Sequence, residues 1–478
     1  MIFNFLFLDK KKLFLLISLL LGGLFSLSFD PYNIPFFSLI IVGLFFKLND
    51  SIFSIFGKDY KLMFYTGILF GFSFFITSIY WITNSIFVFD SNLAYLTPFP
   101  LIILPLILGI FYGLMQLINI FFWSLNISRI FFFSALWILF EMIRSMLLIG
   151  FPWNLVAYSW SWSISFMQSL SLFGVFGLGL ISIFCSAGIF SLNLKKANIF
   201  LCMFSISILI TIYLFGYNRV SNYENVYLNT DKIRLVSTNF HQEDKWSDES
   251  FEKMISLGSN EITTFFPETA FGLRKISKDN WFGGFIRNNG KQFFNSAQFN
   301  NQIYDKRKLV PFGEFIPFHK MLDNIGLKNL MPFESFSSGK INNNFNNFVV
   351  PLICYEGIFS RLARENMQPT SGLLVNITND AWFGDGAGPI QHFTHVRFRS
   401  VEYGLPLVRS ANMGISALVN PIGQVEKIIP HGEMNFVDVK IPSKISSTFY
   451  TQFGDNIAYF FIVIFFLIGY STSKLIKD

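Results

Sequence analysis

Three short segments of the chain end in side chains suited to acyl transfer. The first is Phe265-Phe-Pro-Glu268. The second is Tyr304-Asp-Lys306, with Leu309-Val-Pro-Phe-Gly-Glu314 close behind. The third is Pro351-Leu-Ile-Cys354-Tyr-Glu356. A thiol is a strong nucleophile only as thiolate. A nearby carboxylate takes its proton, and a nearby ammonium favours the thiolate and then stabilises an oxyanion. Glu, Lys and Cys therefore supply all three needs of acyl transfer through a thioester, with no histidine required. Taken singly each signal is weak, because a lone buried Cys is more often inert packing. The other two cysteines, Cys185 and Cys202, lie in apolar runs, so Cys354 has no disulfide partner in its own region. His392 and His395 stand at i,i+3, but no third ligand pattern accompanies them, so no metal is expected. No cofactor is expected either.

Each segment needs a strand to hold it. Residues 232–239, 262–266, 348–353 and 372–377 read as short buried strands, rich in β-branched or aromatic residues. Residues 405–410 and 416–419 continue the series. Pro421-Ile-Gly423 is a turn ahead of residues 425–429, which predicts a hairpin. Residues 389–403 read as a helix. Strands alternating with helices predict an α/β domain over residues 226–450.

The rest of the chain is of a different kind. The protein has 478 residues, of which 52% are hydrophobic and only 14% charged, and 64 are Phe. A soluble domain carries about a quarter of its residues charged. That composition excludes a disordered protein, an ordinary soluble enzyme and a nucleic-acid-binding module. Residues 1–225 hold 18 charged residues against 48 in residues 226–478, which marks a domain boundary. Apolar runs at 13–29, 34–46, 62–82, 96–123, 130–148, 164–192, 199–217 and 457–473 read as eight membrane spans. Seven fall in a membrane domain, residues 1–225. The eighth belongs to residues 451–478, with a short tail.

Lysine and arginine set the orientation. Lys10, Lys11, Lys12, Lys47, Lys58, Lys61, Arg129, Lys195, Lys196, Lys474 and Lys477 fall at every second connection, whereas the connections after the first and third runs have none. Both termini are thus expected in the cytoplasm and the α/β domain outside it. Gly67-xxx-Gly71 and Gly109-xxx-Gly113 predict close helix approach. Pro98, Pro100 and Pro105 predict a kinked or delayed fourth helix. Glu141 and Arg144 predict a self-neutralising pair on one helix face. The aromatic stretch from Gly150-Phe-Pro-Trp153 to Trp162 reads as a headgroup belt, or as a lip guiding a lipid.

Together the motifs resemble the Glu-Lys-Cys triad of the nitrilase superfamily. With the eight-span frame, the chain is similar to the apolipoprotein N-acyltransferase family over nearly its whole length. Further matching runs are Asp30-Pro-Tyr32, Gly150-Phe-Pro-Trp153, Gln242 to Trp246, and Asn379-Asp-Ala-Trp-Phe-Gly384 followed by Gly388-Pro-x-Gln-His-Phe393. The resemblance implies a multi-span helical membrane bundle of about eight helices plus an extracytoplasmic α/β domain built as a nitrilase-like αββα sandwich. It implies Glu268 as general base, Lys306 as oxyanion stabiliser and Cys354 as nucleophile. Glu314, Tyr355 and Glu356 become active-site support, and Trp246, Trp382 and Trp153 substrate-binding aromatics. The implied reaction transfers an acyl chain from a phospholipid donor to a diacylglyceryl apolipoprotein acceptor at the bacterial inner membrane, in a membrane-lipid setting without nucleic acid. The stretches from Trp246 to Glu268 and from Glu268 to Lys306 are shorter than in better-known members, which predicts trimmed surface elements.

Two rival functions remain open on residues alone. A membrane-anchored amidase acting on a small amide fits the triad, but one span would suffice to anchor it. A transporter with a ligand-binding outer domain fits the spans, yet these spans show little midplane polarity beyond Glu141 and Arg144.

Overall fold

The computed structural model describes residues 9–89, 91–147, 150–192, 195–228, 232–317, 335–341 and 345–475. The chain divides into two compact units. One comprises Met1–Tyr80, Leu96–Asn222 and Gln452–Asp478, the other Trp81–Tyr95 and Tyr223–Thr451.

The first unit is helical. Its long helices are Lys10–Phe25, Phe37–Phe56, Tyr60–Ser78, Leu104–Phe122, Ser128–Met146, Leu170–Phe190, Lys196–Ser221 and Asn456–Leu475. Among the described residues, seven segments are long and apolar enough to cross a membrane. The exception, Ser128–Met146, carries Arg129, Glu141 and Arg144, all buried within the unit. A helix surrounded by other helices can hold such charges away from lipid.

The second helix runs ten residues beyond the predicted 34–46 segment, through Lys47 and Asp50 to Phe56. Arg129 is not a loop cation. It is 3% exposed and makes two bonds to Asp50, 2.7 and 3.1 Å, so its charge is neutralised inside the bundle. Lys477 lies outside the described residues.

The glycine pairs act as the spacing predicts. A Cβ at Gly67 would lie 2.4 Å from the Tyr112 carbonyl oxygen, and one at Gly71 would lie 2.8 Å from the Gly109 Cα. Only glycine lets these two backbones touch. The prolines delay the fourth helix through a π turn at Phe99–Ile103 before it becomes regular at Leu104.

Glu141 and Arg144 do not pair with each other. Arg144 Nη1 donates to the Phe151 and Trp153 carbonyl oxygens at 2.6 and 2.9 Å, while Glu141 Oε1 accepts from Val156 N and Trp137 Nε1 at 3.1 and 3.2 Å. The two charges clamp the loop after their helix, because its backbone groups lack helical partners there. The aromatic stretch is no exposed lip, since Trp153, Tyr158 and Trp160 are each 1% exposed.

The second unit holds two sheets. Its strands are β1 (Ile233–Ser237), β2 (Thr264–Phe265), β3 (Trp281–Asn288), β4 (Phe293–Phe299), β5 (Gln302–Asp305), β6 (Val349–Ile353), β7 (Leu373–Asn379), β8 (Leu407–Asn412), β9 (Ser416–Val419), β10 (Val425–Ile429) and β11 (Asn435–Val439). One sheet has the order β11-β1-β2-β3-β4-β5, the other β10-β9-β8-β7-β6. Inward residues of both, among them Leu235, Phe265, Phe282, Ile353, Val375 and Val408, form one core. The outer face of the first sheet packs Phe266, Phe271, Trp281 and Phe285 with Met254 of helix Asp248–Ser256. Helix Ala387–Tyr403 connects β7 to β8, and the β9–β10 hairpin forms where Pro421 and Gly423 predict it. This is the αββα layering.

Residues Trp81–Tyr95, from the connection after the third helix, belong to this unit. Trp81 Nε1 donates to Gln391 Oε1 at 3.1 Å and Asn84 Nδ2 to the Phe383 carbonyl oxygen at 2.8 Å.

Candidate active site

The reactive groups stand at the carboxyl ends of strands. Glu268 follows β2, Lys306 follows β5, Cys354 follows β6, and Asn379 ends β7. Buried strands of fixed register are a rigid mount for such groups.

Glu268, 4% exposed, is fully engaged. Its Oε1 accepts from Lys306 Nζ at 3.1 Å and Asn295 Nδ2 at 2.7 Å, and its Oε2 accepts from Asn379 N at 2.8 Å. Lys306 Nζ also donates to Glu314 Oε1 at 2.9 Å. Glu314 Oε2 in turn accepts from Val310 N at 2.8 Å, which closes the Val-Pro-Phe-Gly-Glu turn. One ammonium thus bridges two carboxylates. Burial works against the Lys306 charge, yet Glu268 and Glu314 overcome that cost and hold its pKa above the ordinary lysine value.

Cys354 opens a short 3₁₀ turn, Cys354–Ile358, and sits at φ +50, in the left-handed region. A non-glycine residue there is uncommon, and such strain collects at functional sites. Burial pushes the thiol well above its usual range. The charge of Glu268 adds to the rise, Lys306 opposes it, Asp380 adds further, and the Thr378 hydroxyl opposes it by a hydrogen bond. A thiol in this state needs a base to become a nucleophile.

Glu356 ties two catalytic segments together. Its Oε1 accepts from Arg307 N at 2.6 Å, Tyr304 Oη at 3.0 Å and Lys308 N at 3.2 Å, and its Oε2 accepts from Ile353 N at 2.7 Å. The loop bearing Lys306 is thereby locked to the turn bearing Cys354. Burial raises Glu356 to about 7 against the pull of those N–H groups. Tyr355 is buried edge-on against Phe359, ring centroids 5.0 Å apart.

The three aromatics expected to bind substrate differ in setting. Trp246 is 40% exposed, and its Nε1 donates to the Thr269 carbonyl oxygen at 2.8 Å, so it stands beside the Glu268–Thr269 turn. Trp382 is half-buried in the 3₁₀ turn Asp380–Phe383 after β7. Trp153 belongs to the helical unit and is buried in it.

Sequence reasoning missed several members of the site. Asn295, mid-strand in β4, donates from one amide nitrogen to both Glu268 and Glu314. Lys245 is 3% exposed, and its Nζ donates to the Glu268 carbonyl oxygen and to Thr269 Oγ1, both at 2.8 Å. His392 lies on the helix after β7 with Nε2 3.3 Å from the Cys354 carbonyl oxygen and Nδ1 2.9 Å from Asp380 Oδ1. Arg409 Nη2 donates to Asp380 Oδ2 at 2.7 Å. Cys354, Asp380 and His392 bring ligand-type atoms within 4.8 Å of one another. Asp380 is already engaged by a guanidinium, so the cluster forms a hydrogen-bonded brace behind Cys354. Lys245, Asp380 and His392 fall within the matched runs, whereas Asn295 and Arg409 carried no sequence signal.

Residues 21–188 match the apolipoprotein N-acyltransferase N-terminal domain, and residues 273–449 match the carbon-nitrogen hydrolase domain. An apolipoprotein N-acyltransferase of Rickettsia prowazekii is 34% identical over 457 residues, covering 86% of this chain and 90% of that relative. The chain belongs to the apolipoprotein N-acyltransferase family. A relative from Rhizobium rhizogenes with the same name is 29% identical over 453 residues, covering 84% of each. Among solved structures, an amidase of the nitrilase superfamily from Nesterenkonia aligns with 45% of this chain and 93% of its own, at 14% identity and a TM-score of 0.32. As a member of the apolipoprotein N-acyltransferase family with several apolar helices, the chain is a multi-pass membrane enzyme carrying a carbon-nitrogen hydrolase domain. That match takes in Lys306, Glu314 and Cys354, and Glu268 lies just before it.

Proposed function

We propose that this chain completes lipoprotein maturation by transferring a fatty acyl group from a phospholipid to the α-amine of a diacylglyceryl-cysteine at an apolipoprotein N-terminus. The observation that carries the reading is the bridge from Glu268 through Lys306 to Glu314, beside a raised Cys354 thiol. Glu268 removes the thiol proton. The thiolate attacks the ester carbonyl, and Lys306 with the backbone N–H of Tyr355 stabilises the oxyanion. The ester C–O bond breaks, Glu268 returns its proton to the departing lysophospholipid oxygen, and a Cys354 thioester remains. In the second half, the acceptor amine attacks the thioester as Glu268 takes its proton. The C–S bond breaks, and that proton returns to the sulfur. Kinetics are ping-pong.

The helical unit fits this chemistry. An acyl chain costs about 0.8 kcal/mol per CH₂ to take out of lipid, so fifteen carbons cost about 12 kcal/mol. A catalytic domain held at the membrane avoids that step. The catalytic unit is assigned to the periplasm and both termini to the cytoplasm. Lys10, Lys11, Lys12, Lys58, Lys61, Lys195, Lys196 and Lys474 support this orientation. So does the connection at 84–95, which has no lysine or arginine and falls within the segment that shares a unit with Glu268, Lys306 and Cys354.

The test is mass spectrometry of the full-length protein after incubation with labelled phospholipid. A fatty-acyl adduct on Cys354 that is discharged by a diacylglyceryl-cysteine peptide is expected. Hydrolysis of a small amide with no such adduct would instead assign an amidase. Complementation of a strain depleted of lipoprotein N-acylation, with wild type and Cys354→Ala side by side, checks the same reading in cells.

A further inference from the structure

Thr269, the residue after the general base, adopts φ +48. A β-branched side chain in the left-handed region is a genuine outlier, held only where the surroundings over-determine it. Here they do so from two sides. On one side β3 grips the turn, because Gly284 N donates to the Pro267 carbonyl oxygen at 3.1 Å and Phe271 N to the Gly284 carbonyl oxygen at 3.0 Å. A Cβ at position 284 would lie 2.3 Å from Thr269 N and 2.7 Å from the Glu268 Cα, so only glycine allows this approach. On the other side, consecutive residues of one loop reach in. Trp246 Nε1 bonds the Thr269 carbonyl oxygen, while Lys245 Nζ bonds the Glu268 carbonyl oxygen and Thr269 Oγ1.

The charge on Lys245 is the informative part. A buried ammonium whose hydrogen bonds go to a carbonyl and a hydroxyl, with the Trp246 ring 5.9 Å away, is poorly compensated, and an uncharged donor would clamp the turn as well. Burial accordingly lowers Lys245 to about 8, while Glu268 and Cys354 pull it back up. Lys245 therefore senses both ends of the transfer in which a proton leaves sulfur for the carboxylate. The other charged groups acting on the thiol are Lys306 and Asp380, and Lys306 is already shared between Glu268 and Glu314.

We propose that Lys245 is a positioning residue for the general base, which holds the left-handed Glu268–Thr269 turn and keeps a buried positive charge against the backbone of Glu268 as a proton moves between Cys354 and the carboxylate. Trp246, expected to bind substrate, also serves this turn through its indole N–H. The inference rests on the acyl-transfer reading above.

The experiment uses the full-length protein in detergent and two readouts. One is single-turnover acylation of Cys354 by labelled phospholipid, and the other is alkylation of Cys354 by iodoacetamide across pH. Lys245→Met is expected to slow acylation about 100-fold at saturating donor, with little change in the half-saturating donor concentration, and to move the alkylation profile to higher pH. Lys245→Arg restores part of both. Thr269→Gly relieves the strained turn, so adding it to Lys245→Met recovers part of the rate but leaves the alkylation profile shifted. Lys245→Gln, which keeps a donor without the charge, provides the same comparison if Lys245→Met does not accumulate. Wild-type acylation and an unmoved profile in Lys245→Met or Lys245→Gln would overturn the proposal, and so would full recovery of both readouts by Thr269→Gly. If wild type forms no acyl adduct, the acyl-transfer reading falls while the alkylation comparison still tests Lys245.

Discussion

The helical unit and the catalytic unit both bury charges, and they use them differently. In the helical unit Arg144 and Glu141 each turn toward backbone, clamping Phe151, Trp153 and Val156. Among the described residues, Glu141 Oε2, Arg144 Nη2 and Tyr112 Oη find no hydrogen-bond partner. In the catalytic unit Glu268, Lys306 and Glu314 turn toward one another, and no oxygen of either carboxylate is left idle. A charge that faces backbone holds shape. A carboxylate held by a charged ammonium stays ionised, which is the state that the proposed general base needs. A buried carboxylate alone therefore does not identify a reacting group, whereas its partners do.

Substitutions on the two sides should separate these uses. Cys354→Ala removes the nucleophile, so the fatty-acyl adduct disappears and turnover falls about 10⁴-fold or more, read by mass spectrometry and lipoprotein acylation. Lys306→Met leaves Glu268 and Glu314 unbridged and the oxyanion without its cation. Single-turnover acylation should fall about 10²–10³-fold, with Cys354 alkylation moved to higher pH. Arg144→Met in the helical unit should show the opposite pattern. Loss of its charged bonds to two carbonyls is worth about 3 kcal/mol, read as a lower thermal midpoint in detergent, while acylation per folded molecule stays within about threefold. Equal loss of acylation in Arg144→Met and Lys306→Met would erase the distinction.

The smallest expected effect is the pH dependence of Glu356. Its folded value of about 7 lies above its ordinary value of 4.5. Between those values the native state holds more protons than the unfolded state, so stability falls as pH rises from 4.5 to 7. The thermal midpoint should drop between pH 5 and pH 8, and the drop should shrink in Glu356→Gln.

Strands β6 to β9 were legible because each is a short run buried along its length, and the hairpin to the mostly exposed β10 because Pro421 and Gly423 mark its turn. Strands β3 and β4 were not. Trp281–Asn288 contains Gly283 and Gly284, and Phe293–Phe299 contains Asn295, Ser296 and Gln298, residues that read as loop when taken alone. They are strands because their neighbours complete the ladder, and their odd residues serve the site: Gly284 admits the Glu268 turn and Asn295 bridges two carboxylates. The helical spans were legible from apolar length, whereas the roles of Arg129, Glu141 and Arg144 were not, since a charge in sequence carries no direction.

The amino-acid sequence by itself determined the division into an apolar helical part and a polar α/β part, and it marked Glu268, Lys306 and Cys354 as candidate reacting residues. These are properties of composition and local spacing, which no neighbour can change. Only the tertiary structure decided which side chains face them. Lys245, Asn295 and His392 reach the site from separate elements through hydrogen bonds of 2.7 to 3.3 Å, and contact between residues so far apart in the chain exists only once the strands that carry them have paired into their sheets.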